Sequence, residues 1–561
     1  MRLKVPLASF ACVAAALGLV ACGSSSPSSS SPSSSGSSSS TLVVEGSPLG
    51  SMPQVFNPYS PVDPANTAGA TNMVYEPLLQ FNFLKPGSVM PWLATKYAWS
   101  NGGKTITFTL RSGVKFTNGW PFNAANVAWE FNLMKTSTTM NQYALPITSA
   151  TATNPTTVVI NFSRSVYTLL YFIANTWMLP ENVWSKVNPA TYADSDPVGT
   201  GPYEVSVMTA QGMTLTRNPN YWGGVPPVAK VEFPAYSSNT SANLALEQGQ
   251  LDWAGNFVQN IKTAFVGKDP STNHYWDAPL STQNLLPNLT EFPFSGAAGL
   301  AVREAISDGI NRTVISTDGE DSQQPGATGP ASATGLAMPT DQGYVTSATS
   351  GLVTTYDPAK AEQILEAAGW KMGSNGVFEL NGKPLAFTIE DPSAYTDYIT
   401  DDQIVAQELK AVGMNVTVQG VSVQKFGADV NDGTFQMVNR YSTTGPTPYF
   451  MYDQFLDDSI TAPIGKNATG DFERFYSPQA EALLAQYAST QNTQTQLNDI
   501  VGMEKIVATQ LPIIPMIFSV AWFDYSSAKF TGWPSPANPY DVGQPEGPYD
   551  EYTILHLHPT S

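Results

Sequence analysis

The sequence predicts an α/β protein built of several lobes, and three observations carry that prediction. From about Thr41 onward the chain is too long for one small core. In its second half, helix, glycine and strand follow in that order. A helical pattern showing Ile404, Val405 and Leu409 stops at Gly413, and the alternating Val416-Thr417-Val418 comes straight after it. That is the layout of a crossover unit. Finally, the two cysteines are Cys12 and Cys22. The chain beyond them has neither disulfide nor thiol chemistry and must depend on a large apolar core.

The N-terminus comes first. Arg2 and Lys4 precede an apolar run from Val5 to Ala21, which breaks at Cys22-Gly23. This is the pattern of a secretory signal, and an uncleaved signal anchor is the alternative. Leu19-Val20-Ala21-Cys22 resembles a bacterial lipobox, in which the cysteine is acylated and becomes the first residue of the mature chain. Residues 1–22 are therefore expected to be a lipoprotein signal peptide, with Cys22 the lipidation site. Residues 23–40 contain only Gly, Ser and Pro. They cannot bury enough to offset the entropy of ordering, so they read as a tether reaching about 25 Å. No later stretch is long and apolar enough to span a bilayer. The expected location is the extracytoplasmic face of the cell membrane, anchored by lipid at Cys22.

Further elements follow in order. Thr105 to Leu110 alternates with period two and reads as a strand. Asn123 can cap a helix that places Val127, Phe131 and Met134 on one face. Val302, Ile306 and Ile310 stripe another helix. Asp357-Pro358 opens a third, with Ala361, Ile364, Leu365 and Ala368 as its apolar face and Gly369 as its stop. Three segments read as loops: Gln323 to Ser347, Thr443 to Tyr449, and Trp533 to Pro548. Long loops in a compact protein are functional or mobile.

Composition excludes much chemistry. With 26 basic and 45 acidic residues the net charge is -19, which disfavours nucleic acid or an anionic bilayer surface as partner. The three histidines are His274, His556 and His558. The run Ile554 to His558 reads as a strand that places both its imidazoles on one face, but no third metal ligand is evident. Gly103-Lys104-Thr105 ends like a phosphate loop, yet Ala98 stands where its first glycine must be. No nucleophile elbow and no His-Glu-x-x-His helix occurs. Carboxylate pairs such as Asp401-Asp402 read as solvated or capping groups. The inventory points away from an enzyme, and no cofactor is expected.

Four segments together resemble the large solute-binding proteins of ABC importers, solute-binding family 5, which includes oligopeptide, dipeptide and nickel binders. Trp99 to Gly119, continuing through Pro121 to Val127, is similar to that family's signature. Gly199-Thr200-Gly201-Pro202-Tyr203 with Arg217 to Trp222 forms the second segment. Val302 to Ile306 with Ile310-Asn311-Arg312 forms the third, and Leu511 to Pro515 the fourth. The resemblance implies a periplasmic-binding-protein-like α/β fold of type II, two lobes joined at a hinge with an additional third domain. Domain I would gather residues 41–83, 199–292 and 526–561. Domain II would be 84–198 and domain III 293–525. By the same resemblance a ligand sits between the lobes, hinge closure buries it, and ABC permease subunits receive it from a monomeric carrier. In the residues themselves, Gly102-Gly103 suits a turn, Gly199 and Gly201 suit a close crossing, and Tyr221-Trp222 suits a core corner.

The resemblance also bears on the ligand. Peptide-binding members carry an aspartate in a domain III stretch that pairs with the peptide α-ammonium, whose burial without a counter-charge is costly. Aligned on Pro446, that position holds Ser442, and Arg440 lies nearby. Gly445 to Tyr449 is more similar to the oligosaccharide-binding branch. Sugars need aromatic faces and neutral hydrogen-bond partners, and the chain has 12 Trp and 24 Tyr. The expected ligand is a neutral oligosaccharide, with an oligopeptide or dipeptide as the alternative. The expected contacts are Trp253, Asn256, Trp276, Asn439, Ser442, Tyr449, Tyr452, Trp522 and Trp533.

Overall fold

The computed structural model describes residues 41–60 and 62–560. The segments expected to be signal peptide and tether, with Cys22, lie outside the described residues. No helix among the described residues is long and apolar enough to cross a membrane.

Three sheets organise the chain. A seven-stranded sheet runs in the order Asn273–Tyr275, Asp524–Ser526, Trp253–Ala254, Thr41–Glu45, Lys230–Pro234, Gly212–Arg217 and Tyr203–Thr209. A four-stranded sheet is made by Ala94–Ser100, Thr105–Leu110, Thr157–Phe162 and Ile147–Asn154. One continuous apolar core joins these two sheets, and together they make the first lobe. The second lobe holds a five-stranded sheet ordered Asn415–Val421, Ala386–Pro392, Met437–Tyr441, Ala278–Pro287 and Ile514–Ala521. Its two faces carry separate cores.

Local sequence explains many of these elements. Thr105–Leu110 alternates half-buried and buried residues as its period requires. The helix Ala124–Met134 begins at Asn123, whose side chain accepts from Ala125 N while Asn126 bonds back to the Asn123 N–H. Asp357 caps Pro358–Ala367 through Lys360 N, and Gly369 follows with a positive φ of 91°. The close crossing is made by Gly199, where a Cβ would fall 1.7 Å from the Val74 carbonyl oxygen, and by Gly201 against Met73. At the core corner, Tyr221 Oη and Trp222 Nε1 each donate to the buried Glu76 carboxylate at 2.9 Å.

Two readings of the sequence are corrected. Asp550–His556 is a helix, and the strand that follows it is only His558–Pro559. His556 Nδ1 lies 2.8 Å from Tyr552 O and its ring stacks on Tyr540, while His558 is exposed. The two imidazoles therefore do not share a strand face. Asp401 and Asp402 are wholly buried rather than solvated.

Sheet pairing also differs from the expected domain limits. Ala278–Pro287 pairs with Met437–Tyr441 and Ile514–Ala521, so it belongs with the second lobe, upstream of the 292/293 limit. Asp524–Ser526 pairs in the seven-stranded sheet, so the 525/526 limit cuts a strand.

Candidate functional site

Two antiparallel segments run from one lobe into the other. Asn273–Tyr275 pairs with Asp524–Ser526 in the first lobe, and beyond Trp276-Asp277 and Trp522-Phe523 the same two segments pair again in the second. These four residues form the crossing. Trp276 N donates to Phe523 O at 2.9 Å. The Asp277 carboxyl is buried there, and desolvation pushes it up to about 8.

The lobes touch on both sides of this crossing, so the cleft is closed. Asn260 N donates to Asp321 Oδ2 at 2.7 Å, and Gln323 Nε2 to Val258 O at 3.0 Å. Gly87 N donates to Pro446 O at 2.8 Å, and Phe450 packs edge-on against Tyr171 and Phe172.

Successive side chains of Ala278–Pro287 point to opposite faces of the sheet. Thr282 points to Ser442 and to Gly335 O, with Oγ1 distances of 3.1 Å to each. Gln283 points the other way, its Nε2 3.3 Å from Asp401 Oδ2. On the Thr282 face a space of about 20 Å³ is lined by Phe83, Leu280, Ser281, Thr340, Asp341, Ser442 and Thr443 among others. The loop 323–347 supplies part of its wall through Gly335, Ala337 and Thr340. Beside it, Tyr449, Phe450, Tyr171 and Tyr97 help line about 170 Å³ between the lobes. On the Gln283 face about 300 Å³ lies between Phe257, Gln259 and Asn260 of the first lobe and, from the second, residues 317–321 at the end of a short π-helix and the first turn of the helix Thr396–Ala411.

The expected contact residues are distributed unevenly. Ser442 and Tyr449 line these spaces; Tyr449 stacks on Tyr487 at 4.6 Å. Trp276 and Trp522 are half-buried at the crossing, with Trp522 edge-on to Phe257 at 5.6 Å. Three aromatics are core instead. Trp253 is fully buried, donates from Nε1 to Gly543 O at 2.7 Å and packs on Trp533. Trp533 is buried and donates to Phe530 O. Tyr452 is buried with its hydroxyl on Thr334 O. Their rings and donors are occupied by the protein, which leaves no face for a ligand. Asn256 is buried and donates to Glu45, a carboxyl that desolvation pushes up to about 7. Asn439 is also buried, its N–H on Asp391 Oδ2 at 3.1 Å and its Nδ2 3.4 Å from Asp402. Asp402 is itself raised to about 7 by burial.

One lining residue has no signal in the sequence motifs. Asp341 reaches the Ser442 space from the long loop, and its Oδ2 accepts from Ala337 N at 3.0 Å. Burial pushes it up to about 7. Among the described residues no three His, Cys, Asp or Glu side chains are grouped to hold a metal ion.

Comparison with known proteins places these features in context. Residues 88–462 match the bacterial extracellular solute-binding proteins, family 5. The nickel-binding periplasmic protein of Escherichia coli K12 is 30% identical over 403 residues, covering 68% of this chain and 72% of that protein. A putative ABC transporter peptide-binding protein of Brucella ovis is 27% identical over 431 residues, 73% of this chain and 75% of its own length. Among solved structures, a periplasmic oligopeptide-binding protein of an oligopeptide ABC transporter from Thermotoga maritima superposes with a TM-score of 0.83 at 25% identity, covering 93% of this chain and all of that one. The same Thermotoga protein bound to mannohexaose superposes at 0.76, also at 25% identity, covering 93% and 99%.

Proposed function

Because the chain belongs to family 5 of the bacterial extracellular solute-binding proteins, and so serves an ABC importer as its substrate-binding subunit, we propose that its cargo is a neutral oligosaccharide held between the lobes. The observation that carries this is the make-up of the cleft. Among the described residues no Lys, Arg or His lines the spaces on either face of the crossing strands, whose charged side chains are Asp318, Asp321, Asp397 and Asp341, so an anionic cargo would find no partner. The position expected to hold a peptide-pairing carboxylate is Ser442, whose hydroxyl is engaged with Thr282. Sugar hydroxyls need hydrogen-bond partners, and the C–H faces of sugar rings need aromatic surfaces, rather than a counter-charge. The mannohexaose complex of the Thermotoga relative supports the same class.

A peptide is the second reading, and Asp341 favours it. This carboxyl lines the Ser442 space, and a bound α-ammonium would draw it back to the ionised form. The peptide-binding relatives support that alternative equally.

We read the chain as a carrier, not an enzyme. It would be anchored through an acylated Cys22 and held off the membrane by the Ser-rich tether, and it would deliver its cargo as a monomer to permease subunits. Binding assays with glycans beside free and N-acetylated peptides test the cargo. Glycan binding supports the proposal. Binding of peptides alone, lost on acetylation and in Asp341→Asn, replaces it with the second reading.

A further inference from the structure

We propose that four carboxyls inside the second lobe, Glu320, Asp401, Asp402 and Asp391, act as a proton-operated latch that holds the lobes together at low pH and lets them part as pH rises. The latch is independent of the class of cargo. All four side chains are wholly buried, and they form one row. Glu320 follows the short π-helix Ile315–Gly319 and neighbours Asp401; such helices recur at functional positions. Asp401 and Asp402 are consecutive on the helix Thr396–Ala411, and Asp402 neighbours Asp391 of the strand Ala386–Pro392. Neutral amides brace the row. Gln283 Nε2 lies 3.3 Å from Asp401 Oδ2, Asn439 Nδ2 lies 3.4 Å from Asp402 Oδ1, and Asn439 N donates to Asp391 Oδ2 at 3.1 Å.

No counter-charge reaches this row. Among the described residues none of the four carboxyls is ion-paired. The titratable groups around them are mostly acids as well: Asp397 and Tyr398 on the same helix, and Glu390 beside Asp391. Lys425 is taken up by Glu390 and Asp429. Arg440 follows Asn439 on its strand, so it points to the other face, where its guanidinium lies over Phe472 at 4.5 Å. Neither oxygen of Glu320 has an aligned hydrogen bond. Buried carboxyls without cations keep their protons rather than ionise. Burial pushes Glu320 and Asp402 up to about 7 and holds Asp391 and Asp401 well above the usual carboxylate range. Neighbouring carboxyls add to burial for Glu320, Asp391 and Asp401.

The row is joined directly to the contact between the lobes. Gly319 sits so close to Asp401 that a Cβ would fall 1.9 Å from its Oδ1. Glu320 comes next, and the three residues after it make the bridge. Asp321 Oδ2 accepts from Asn260 N, and Gln323 Nε2 donates to Val258 O. Asp321 and Ser322 between them hold positive φ, at 50° and 64°, a strain that persists only while the surroundings enforce it. Loss of a proton from Glu320 or Asp401 sets like charges against each other away from water. Glu320 stands at the end of the row, next to the space lined by Gly319, Asp321 and Asp397. Turning out into that space relieves the repulsion and draws residues 321–323 off the first lobe. The sign follows from the raised carboxyls: the closed form holds a proton that the open form releases. Closure is therefore complete at low pH and is lost as pH rises through about 7. One such proton lowers the closing equilibrium about tenfold between pH 6 and 8.

The test needs no cargo. Amide hydrogen exchange and small-angle scattering are recorded on the unliganded full chain at pH 6, 7 and 8, for wild type, Glu320→Gln and Asp401→Asn. Exchange is corrected for its intrinsic dependence on pH, and melting curves confirm that each protein is folded at each pH. In wild type, protection of residues 319–324 should fall about tenfold from pH 6 to pH 8, and the radius of gyration should grow. The amide variants are nearly isosteric and have no proton to lose at that position. Each should keep most of its protection and its smaller radius at pH 8, and Asp401→Asn serves if Glu320→Gln folds poorly. Protection in wild type that does not change with pH would overturn the latch. So would a fall of equal size in the folded variants, or a fall in wild type with no change in radius.

Discussion

The backbone N–H of Asn260 donates to Asp321 Oδ2 at 2.7 Å, one of the hydrogen bonds that tie the first lobe to the second. It is charge-assisted, and both residues hold left-handed backbone, so the closed contact must outweigh a local strain. Asp321→Ala is expected to shift the unliganded protein toward an open form. It should raise the dissociation constant of the cargo about tenfold, the scale of one such bond at about 1.5 kcal/mol. Small-angle scattering should show a larger radius of gyration for the unliganded variant than for wild type. Identical scattering and affinity would mean that this bond does not bias closure.

Gly199 meets Val74 so closely that no side chain fits. Gly199→Ala forces backbone from backbone and is expected to cost about 3 kcal/mol, at the upper end for overpacking. Denaturant unfolding should show a lower midpoint. A variant as stable as wild type would show that the two segments separate without cost.

Glu130 is fully buried beneath Tyr59 and Leu179, and desolvation pushes its carboxyl up to about 8. A raised acid pKa means that the folded state holds a proton which the unfolded chain releases near pH 4.3. The stability from this group is fully present below that pH and is lost as pH rises toward 8. Glu130→Gln mimics the protonated form. It is expected to flatten the decline in unfolding free energy between pH 5 and 8, and to leave the variant relatively more stable at pH 8. An equal slope in the two proteins would contradict the assignment.

How much of this was legible in the chain follows from the range of the interactions involved. The helix after Asn123 and the strand Thr105–Leu110 are fixed by neighbours a few residues away, so cap and alternation reveal them. Ile554 to His558 alternates too, but short apolar runs do not separate helix from strand. Burial of Asp550, Glu551, Thr553 and Ile554 on the inner side, with Ile554 in the core, is met by a helix. Trp253 and Trp522 look alike as residues. Only the fold shows that one donates to Gly543 in the core and the other borders the crossing. Asp401 is buried beside Gln283, far away in sequence, and the pairing of Ala278–Pro287 with Met437–Tyr441 is likewise non-local. Asp341 lay in a stretch that read only as loop.

The N-terminal expectation is independent of the fold. Mass spectrometry of the membrane fraction should find a diacylglyceryl-modified peptide beginning at Cys22, because two or more chains are needed for stable anchoring. Cys22→Ser should release the protein from the membrane. An unmodified chain beginning elsewhere would refute lipidation at this residue.

The central claim is that this importer subunit carries a neutral oligosaccharide, and calorimetry on the purified protein tests it most directly. The titrants are manno- and cello-oligosaccharides, di- to pentapeptides with free and acetylated N-termini, and nickel. The account predicts saturable binding of at least one glycan at about micromolar affinity or tighter, near 8 kcal/mol, with no binding of peptides or nickel. Binding of free peptides alone, abolished by acetylation and by Asp341→Asn, would contradict it.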